Sequence, residues 1–131
     1  MWVFIDARLP GIFRIGCLVL AGKHQIKAVE ARSHEILPEI VRRIGRKKLE
    51  ACDGVCVVEG PGSFTTVRTG VLLGNLLARL FQKSLVGVSS VEAEDLDYLF
   101  EKLSQKQFLA TRLVLPVYDA EPNITLPFVS A

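Results

Sequence analysis

The sequence predicts a mixed α/β fold, and three observations carry that prediction. The first part of the chain holds three stretches rich in β-branched and large apolar residues, separated by turn chemistry. A helical apolar pattern follows, and beyond it apolar runs of strand length alternate with further helical patterns. An antiparallel meander joined to parallel strands by right-handed crossovers satisfies this order.

Residues 2–6, 13–21 and 25–31 are the three opening strands, with Leu9-Pro10-Gly11 and Gly22-Lys23 as the turns between them. Ile36, Leu37, Ile40, Val41, Ile44 and Leu49 then recur at helical spacing behind Ser33, the expected N-cap. The basic residues of 42–48 fill the last turns, where cations suit the helix dipole, so one amphipathic helix is expected to about Lys48. Pro38 sits early in it and is expected to cost one backbone hydrogen bond and a slight bend. Residues 55–59 form a buried strand running into Gly60-Pro61-Gly62-Ser63, and an apolar helix opens at once, from Phe64 to about Gln82, with Ser63 as its cap. Residues 85–88 are the next strand, and Ser89-Ser90-Val91-Glu92 reads as a capping box for a helix through about Ser104. Residues 112–118 read as a strand that 124–129 joins in a partial C-terminal hairpin, with Pro127 confining it to an edge. A mixed five-stranded sheet with helices packed on it results, and an RNase-H-like or actin-like half fits that order best.

Composition limits what such a domain can do. The 131 residues include 16 basic and 14 acidic side chains, a formal charge of +2 that promises nothing about nucleic acid. Half the residues are hydrophobic and the mean hydropathy is +0.34, enough for a core and for a partner surface besides. The most apolar stretch, residues 15–22, is too short to span a membrane, and Met1 to Asp6 lacks the pattern of a secretory signal, so the expected location is the cytoplasm. Three cysteines, an odd number, make no disulfide framework and agree with a reducing compartment; Cys56 is expected in the core and Cys52 at the surface.

Several residues could carry chemistry. Gly60, Gly62, Ser63 and Thr65 lie in a Gly-rich turn feeding a helix N-terminus, which either holds an anion or is a tight turn without a ligand. It lacks the endings of the P-loop and dinucleotide patterns. Thr66, Gly70, Gly74 and Ala78 fall four apart, a ridge of small side chains along which another helix can approach closely. Apolar residues surround the ridge, so the helix is buried on two sides: the sheet covers one, and the first helix or another chain covers the other. Asp6 and Glu59 end neighbouring strands and could hold a divalent metal with a third acid such as Asp95 or Glu121, or could be merely solvated. His34 has Pro38 where a helical metal partner would stand, and Cys52 and Cys56 have no second pair, so no metal site is expected. The basic residues of 42–48 lack interleaved aromatics and read first as a solvated helix end, second as a phosphate tracker.

Residues 57–70, Val-Val-Glu-Gly-Pro-Gly-Ser-Phe-Thr-Thr-Val-Arg-Thr-Gly, with Leu85-Val86-Gly87-Val88-Ser89-Ser90 after them, resemble the tRNA threonylcarbamoyladenosine biosynthesis family TsaB (YeaZ). Ser33-His34-Glu35-Ile36-Leu37-Pro38 looks like that family's first-helix start, and residues 115–120 echo its entry into a second lobe. The resemblance implies an actin-like (ASKHA) lobe at residues 1–106, with 107–131 as a remnant of the second lobe or a C-terminal extension, in a shortened family member. It implies no catalytic residue and no cofactor: a pseudo-enzyme scaffold that pairs with the transferase TsaD in modifying adenosine 37 of tRNA, meets tRNA only through that complex, recruits a TsaE-like ATPase, and forms homodimers when alone. The implied TsaD-facing surface comprises His34, Leu37, Val41, Thr66, Val67, Gly70, Val71, Gly74, Leu77 and Ala78. Filling the ridge with Gly74→Leu is then expected to block pairing and spare the fold. The catalytic relative's His-x-x-x-His metal pair is broken here by Pro38, and Ala7-Arg8-Leu9-Pro10 departs from the family's first phosphate loop. Two other classes remain: a metal-dependent RNase-H-like nuclease using Asp6 and Glu59, and the nucleotide-binding half of an ASKHA kinase using the Gly60–Thr65 loop.

Overall fold

A computed structural model describes residues 1–32 and 34–117. Strands β1 (Trp2–Leu9), β2 (Ile12–Leu18) and β3 (Gln25–Glu30) form the antiparallel meander, and β4 (Gly54–Gly60) and β5 (Ser84–Ser89) extend it in parallel. The order across the sheet is β3-β2-β1-β4-β5, so Asp6 and Glu59 do lie on neighbouring strands, but Asp6 does not end its own: β1 runs on to Leu9 beside β2. The sheet is buried on both faces, and the period-two alternation of its strands divides the core. Val3, Ile5, Val55 and Val57 face helices α1 (Ile36–Ile44) and α3 (Phe64–Leu80), while Phe4, Cys56, Val58 and Val86 face α4 (Leu96–Ser104). Five strands, the meander and helices on both faces are those of an actin-like, RNase-H-like lobe. No helix of the described residues is long and apolar enough to cross a membrane.

Several boundaries differ from expectation, each for a local reason. The first helix ends at Ile44, because Gly45 adopts φ 88°, a left-handed conformation open to glycine, and a separate short helix α2 (Arg46–Ala51) begins in a new direction. The N-cap of α1 is Glu35, whose carboxylate accepts the Arg32 N–H at 2.9 Å; Ser33 lies outside the described residues. Pro38 therefore falls in the first turn, where its missing N–H has no helical partner to lose, and the expected bend has no cause. Ser63 occupies the cap position of α3 but makes no side-chain cap bond. The capping box forms reciprocally, Ser89 N–H to Glu92 Oε1 at 3.0 Å and Glu92 N–H to Ser89 Oγ at 3.2 Å. It opens only the single 3-10 turn Glu92–Glu94, and α4 starts afresh with Asp95 accepting the Tyr98 N–H at 3.1 Å.

The expected strand at 112–118 is not a strand over its described part. Thr111 makes one antiparallel bridge to Leu85, and the following residues are held by Asn75 of α3, whose amide donates to the Val114 carbonyl at 2.9 Å and accepts the Val114 N–H at 2.8 Å. The expected hairpin partner at 124–129 lies outside the described residues. Cys52, expected at the surface, is buried, and its Sγ donates to the Leu49 carbonyl at 3.1 Å.

The small-residue ridge also turns the other way. A Cβ built on Gly70 would meet that of Ala7 at 2.6 Å, and one on Gly74 would meet that of Val57 at 2.9 Å. The ridge lets α3 lie on β1 and β4 of its own sheet, where no second chain can reach it. Gly74→Leu therefore strikes the core. The helix-propensity gain of about 1 kcal/mol over glycine is smaller than the overpacking cost of roughly 1–3 kcal/mol for even modest additions, and a whole isobutyl group has nowhere to go. The expected outcome is a clear fall in the urea midpoint of Gly74→Leu, by about 2 kcal/mol or more in unfolding free energy. Leu72→Glu, two residues away but 65% exposed, is expected to change it by less than about 0.5 kcal/mol.

Candidate functional site

The outer side of α3 carries a row of leucines beside its exposed Arg68 and Arg79. Leu72, Leu76 and Leu80 recur every four residues and are 65%, 37% and 63% exposed. Val67, Val71, Leu77 and Ala78 lie beneath them in the core, as does Thr66, whose Oγ1 has no partner among the described residues. Of the ten expected partner-facing residues, Thr66, Val67, Gly70, Val71, Gly74, Leu77 and Ala78 thus serve the chain's own packing. His34 and Val41 are exposed, and Leu37 is half-buried against the core. Leu72 and Leu76 line a concavity of about 590 Å³ between α3 and residues 111–113, with Leu113 on the far wall and Arg79, Lys83 and Arg112 also in its lining. Asn75, the polar interruption in the helix, holds that wall in place through its paired bonds to Val114. The sequence names these leucines without separating outer from inner ones; the i, i+4, i+8 spacing of Leu72, Leu76 and Leu80 is the signal that could have done so.

The Gly-rich turn is packed from within. Gly60 has φ 116°, and a Cβ there would strike the Val117 carbonyl oxygen; a Cβ on Gly62 would meet Arg8 Cα at 2.9 Å. The Ser63 N–H donates to the Arg8 carbonyl at 3.0 Å, the Ser90 N–H to the Gly60 carbonyl at 2.8 Å, and Ser90 Oγ to the Pro61 carbonyl at 2.6 Å. Thr65 is exposed. The loop's glycines are thus accounted for by close approach of backbone to backbone.

Asp6 lies beside this turn, 3% exposed, and its carboxylate is fully engaged. Arg8 donates through Nε to Oδ1 at 2.9 Å and through a terminal nitrogen to Oδ2 at 2.8 Å, and Arg14 adds a bond to Oδ2 at 3.3 Å. The same Arg8 guanidinium reaches the Ser90 carbonyl at 3.1 Å, tying the ends of β1 and β5 together. The bond to Asp6 and its charge raise the Arg8 pKa further. Both oxygens of the Asp6 carboxylate are thus taken by arginine donors. Among the described residues no group of three His, Cys, Asp or Glu is placed to hold a metal, and Glu121 lies outside them. His34 stands exposed with Pro38 after it, so the donor set does not fit a His-x-x-x-His metal site either. Glu59 has no counterion among the described residues. It sits over Gly87, where a Cβ would meet its Oε2 at 2.7 Å, and burial, with a smaller push from the Glu92 charge, raises its pKa.

Known proteins share the fold. The family model described as TsaD, tRNA N6-adenosine threonylcarbamoyltransferase, matches residues 17–108. Among solved structures, YeaZ from Pseudomonas aeruginosa is similar with a TM-score of 0.53 and 22% identity, over 67% of this chain and 44% of that one. A protein described as similar to peptidase YEAZ from Pseudomonas aeruginosa gives a TM-score of 0.53 at 20% identity, over 67% and 42%. The chain spans less than half the length of these structures, and the likeness establishes the YeaZ-type fold. No curated protein matches the chain in sequence.

The Glu59 carboxyl gives the site a pH signature. Its folded pKa lies above the ordinary 4.5, so over the window between the two values the folded chain holds a proton that the unfolded chain has released. Stability then falls as pH rises through that window and stays reduced above it. Glu59→Gln, which cannot ionise, is expected to raise the melting temperature at pH 7. The gain should shrink on acidification and vanish below 4.5, as read by thermal denaturation across a pH series.

Proposed function

The chain belongs to the TsaD family, tRNA N6-adenosine threonylcarbamoyltransferase, by its match over residues 17–108, and from that premise we propose that it serves threonylcarbamoyladenosine formation in tRNA as a TsaB-like, non-catalytic subunit docked on a TsaD-like enzyme. The observation that carries this reading is the exposed row Leu72, Leu76 and Leu80 on a helix whose other aliphatic side chains, Val67, Val71, Leu73 and Leu77, are buried in the core. Three leucines in one line on a rigid helix fit the grooves of a second helix pair, and each Å² of apolar surface they lose to a partner is worth about 25 cal/mol before the costs of association. Val41 of α1, on the same face of the sheet, is 41% exposed. A scaffold role is supported by the engaged Asp6 and by Pro38 at the position where a metal-binding histidine would be needed.

Size exclusion of the chain mixed with the TsaD-like protein of the same cell tests the proposal. A shared peak is expected for the parent, and Leu72→Glu/Leu76→Glu should abolish it with circular dichroism unchanged, because both side chains stand outside the core. Alone, the parent should elute as a homodimer and the double variant as a monomer. Absence of a shared peak, or a double variant that co-elutes as the parent does, would overturn the reading.

A further inference from the structure

We propose that this chain binds the phosphate backbone of RNA directly, at a basic concavity between β3 and the junction of α1 and α2. The concavity, about 480 Å³, is walled by Lys27 of β3, Arg43 of α1 and Lys48 of α2 over a floor that includes Ile15 and Ile44, and no carboxylate among the described residues lines it. On an unbroken helix Arg43 and Lys48, five residues apart, would project about 140° from one another. The break at Gly45 redirects α2 and brings both to the same hollow, where Lys27 joins them from a distant part of the sequence. Lys48 is held at the rim by the neutral Gln25, Nζ to Oε1 at 3.2 Å, so its charge is positioned without being cancelled.

The surroundings decide the class of ligand. Arg42, Arg46 and Lys47 are exposed along the same two helices, and residues 39–50 carry five cations against two carboxylates. Those two, Glu39 and Glu50, make only surface pairs with Arg42, Arg43 and Arg46, which phosphates can replace at little cost. On the opposite face of the sheet, residues 92–104 carry five carboxylates against one cation, Lys102, which pairs with Glu92. The modest net charge of +2 therefore conceals two faces of opposite sign, an arrangement that orients a polyanion toward α1 and α2. A single phosphate would need one nest of donors; cations spread over two helices and a strand match a chain of phosphates instead. A flat membrane surface cannot enter the hollow where three of the cations converge. This inference rests on charge placement and not on the α3 docking reading, so either can fail alone.

Fluorescence polarisation with a labelled stem-loop RNA of transfer-RNA size tests it. Three duplex phosphate contacts, at a slope of about −0.9 each, predict that raising salt from 50 to 200 mM weakens binding roughly 40-fold. Lys27→Glu/Lys48→Glu should lose at least about tenfold in affinity. Lys106→Glu/Arg112→Glu, the same change in net charge at exposed positions outside the patch, should lose less than threefold, roughly the non-local share of the field. Leu72→Glu/Leu76→Glu should bind RNA as the parent does. Should the lysine variant not fold, photo-crosslinking of RNA to the parent should map to residues 25–27 and 42–48. The proposal is overturned by salt-independent or undetectable binding, by equal losses in the two charge reversals, by crosslinks confined elsewhere, by displacement with millimolar inorganic phosphate, or by phosphatidylserine vesicles that retain the chain where RNA does not.

Discussion

Gly70 and Gly74 let α3 settle onto β1 and β4 with no side chain of the helix at the closest contacts, and the rest of that face is arranged around this approach. Ala7 and Val57 fill the contact, so the helix sits lower than larger residues would allow. Its bulky side chains must then go to the flanks or outward. Val67, Val71 and Leu77 take the flanks and are buried, and Leu72, Leu76 and Leu80 are left outside. The sheet cannot cover a second side of the helix, and the segment 111–117, clipped by Asn75, flanks the outer row as a wall and leaves it uncovered. An apolar surface is thus the geometric consequence of packing the helix closely, and it is this surface that the proposed scaffold role uses.

A second constraint fixes the carboxyl ends of the central strands. Burying Asp6 alone would cost several kcal/mol, and Arg8 and Arg14 offset that cost while Arg8 also bonds the carbonyl of Ser90. The turn at Gly60 to Ser63 then packs on the Arg8 backbone, with the Ser63 N–H taken by its carbonyl. In such a lobe this end of the sheet is where strand-end acids and a Gly-rich loop could handle metal or phosphate. Here the acid is paired with arginines and the loop leans on Arg8, so the region clamps β1, β4 and β5 together.

The sheet was legible because each of its five strands carries an apolar pattern and each turn its own chemistry; strand order followed from the meander and the two crossovers. Helix existence was legible for the same reason, and the elements that escaped did so for local causes. The break of the first helix depends on the backbone angle of one glycine, and glycine within a helical pattern signals only a cost, not a change of direction. Asn75 and Val114 are far apart in sequence, so nothing in either stretch announces the clip that replaces a strand. The ridge was legible as a pattern of small residues, but spacing alone does not say whether a sheet or a foreign helix lies against it. The inward side goes to the residues that meet Ala7 and Val57, a fact about neighbouring strands that the helix sequence does not contain.

Charge placement adds a division of labour that composition conceals. The apolar helices α1 and α3 share one face of the sheet, yet the cations of α1 and α2 gather at its β3 edge, while the exposed leucines of α3 lie toward β5 and the segment beyond it. A partner seated on the leucines would therefore leave the basic edge open. The acidic 3-10 turn and α4 on the far face repel polyanions from the one side where neither surface lies. Two ligands of different chemistry, an apolar helix pair and a phosphate chain, could thus be held at once by opposite edges of a single small sheet, with β1 and its buried Asp6 clamp as the rigid middle between them.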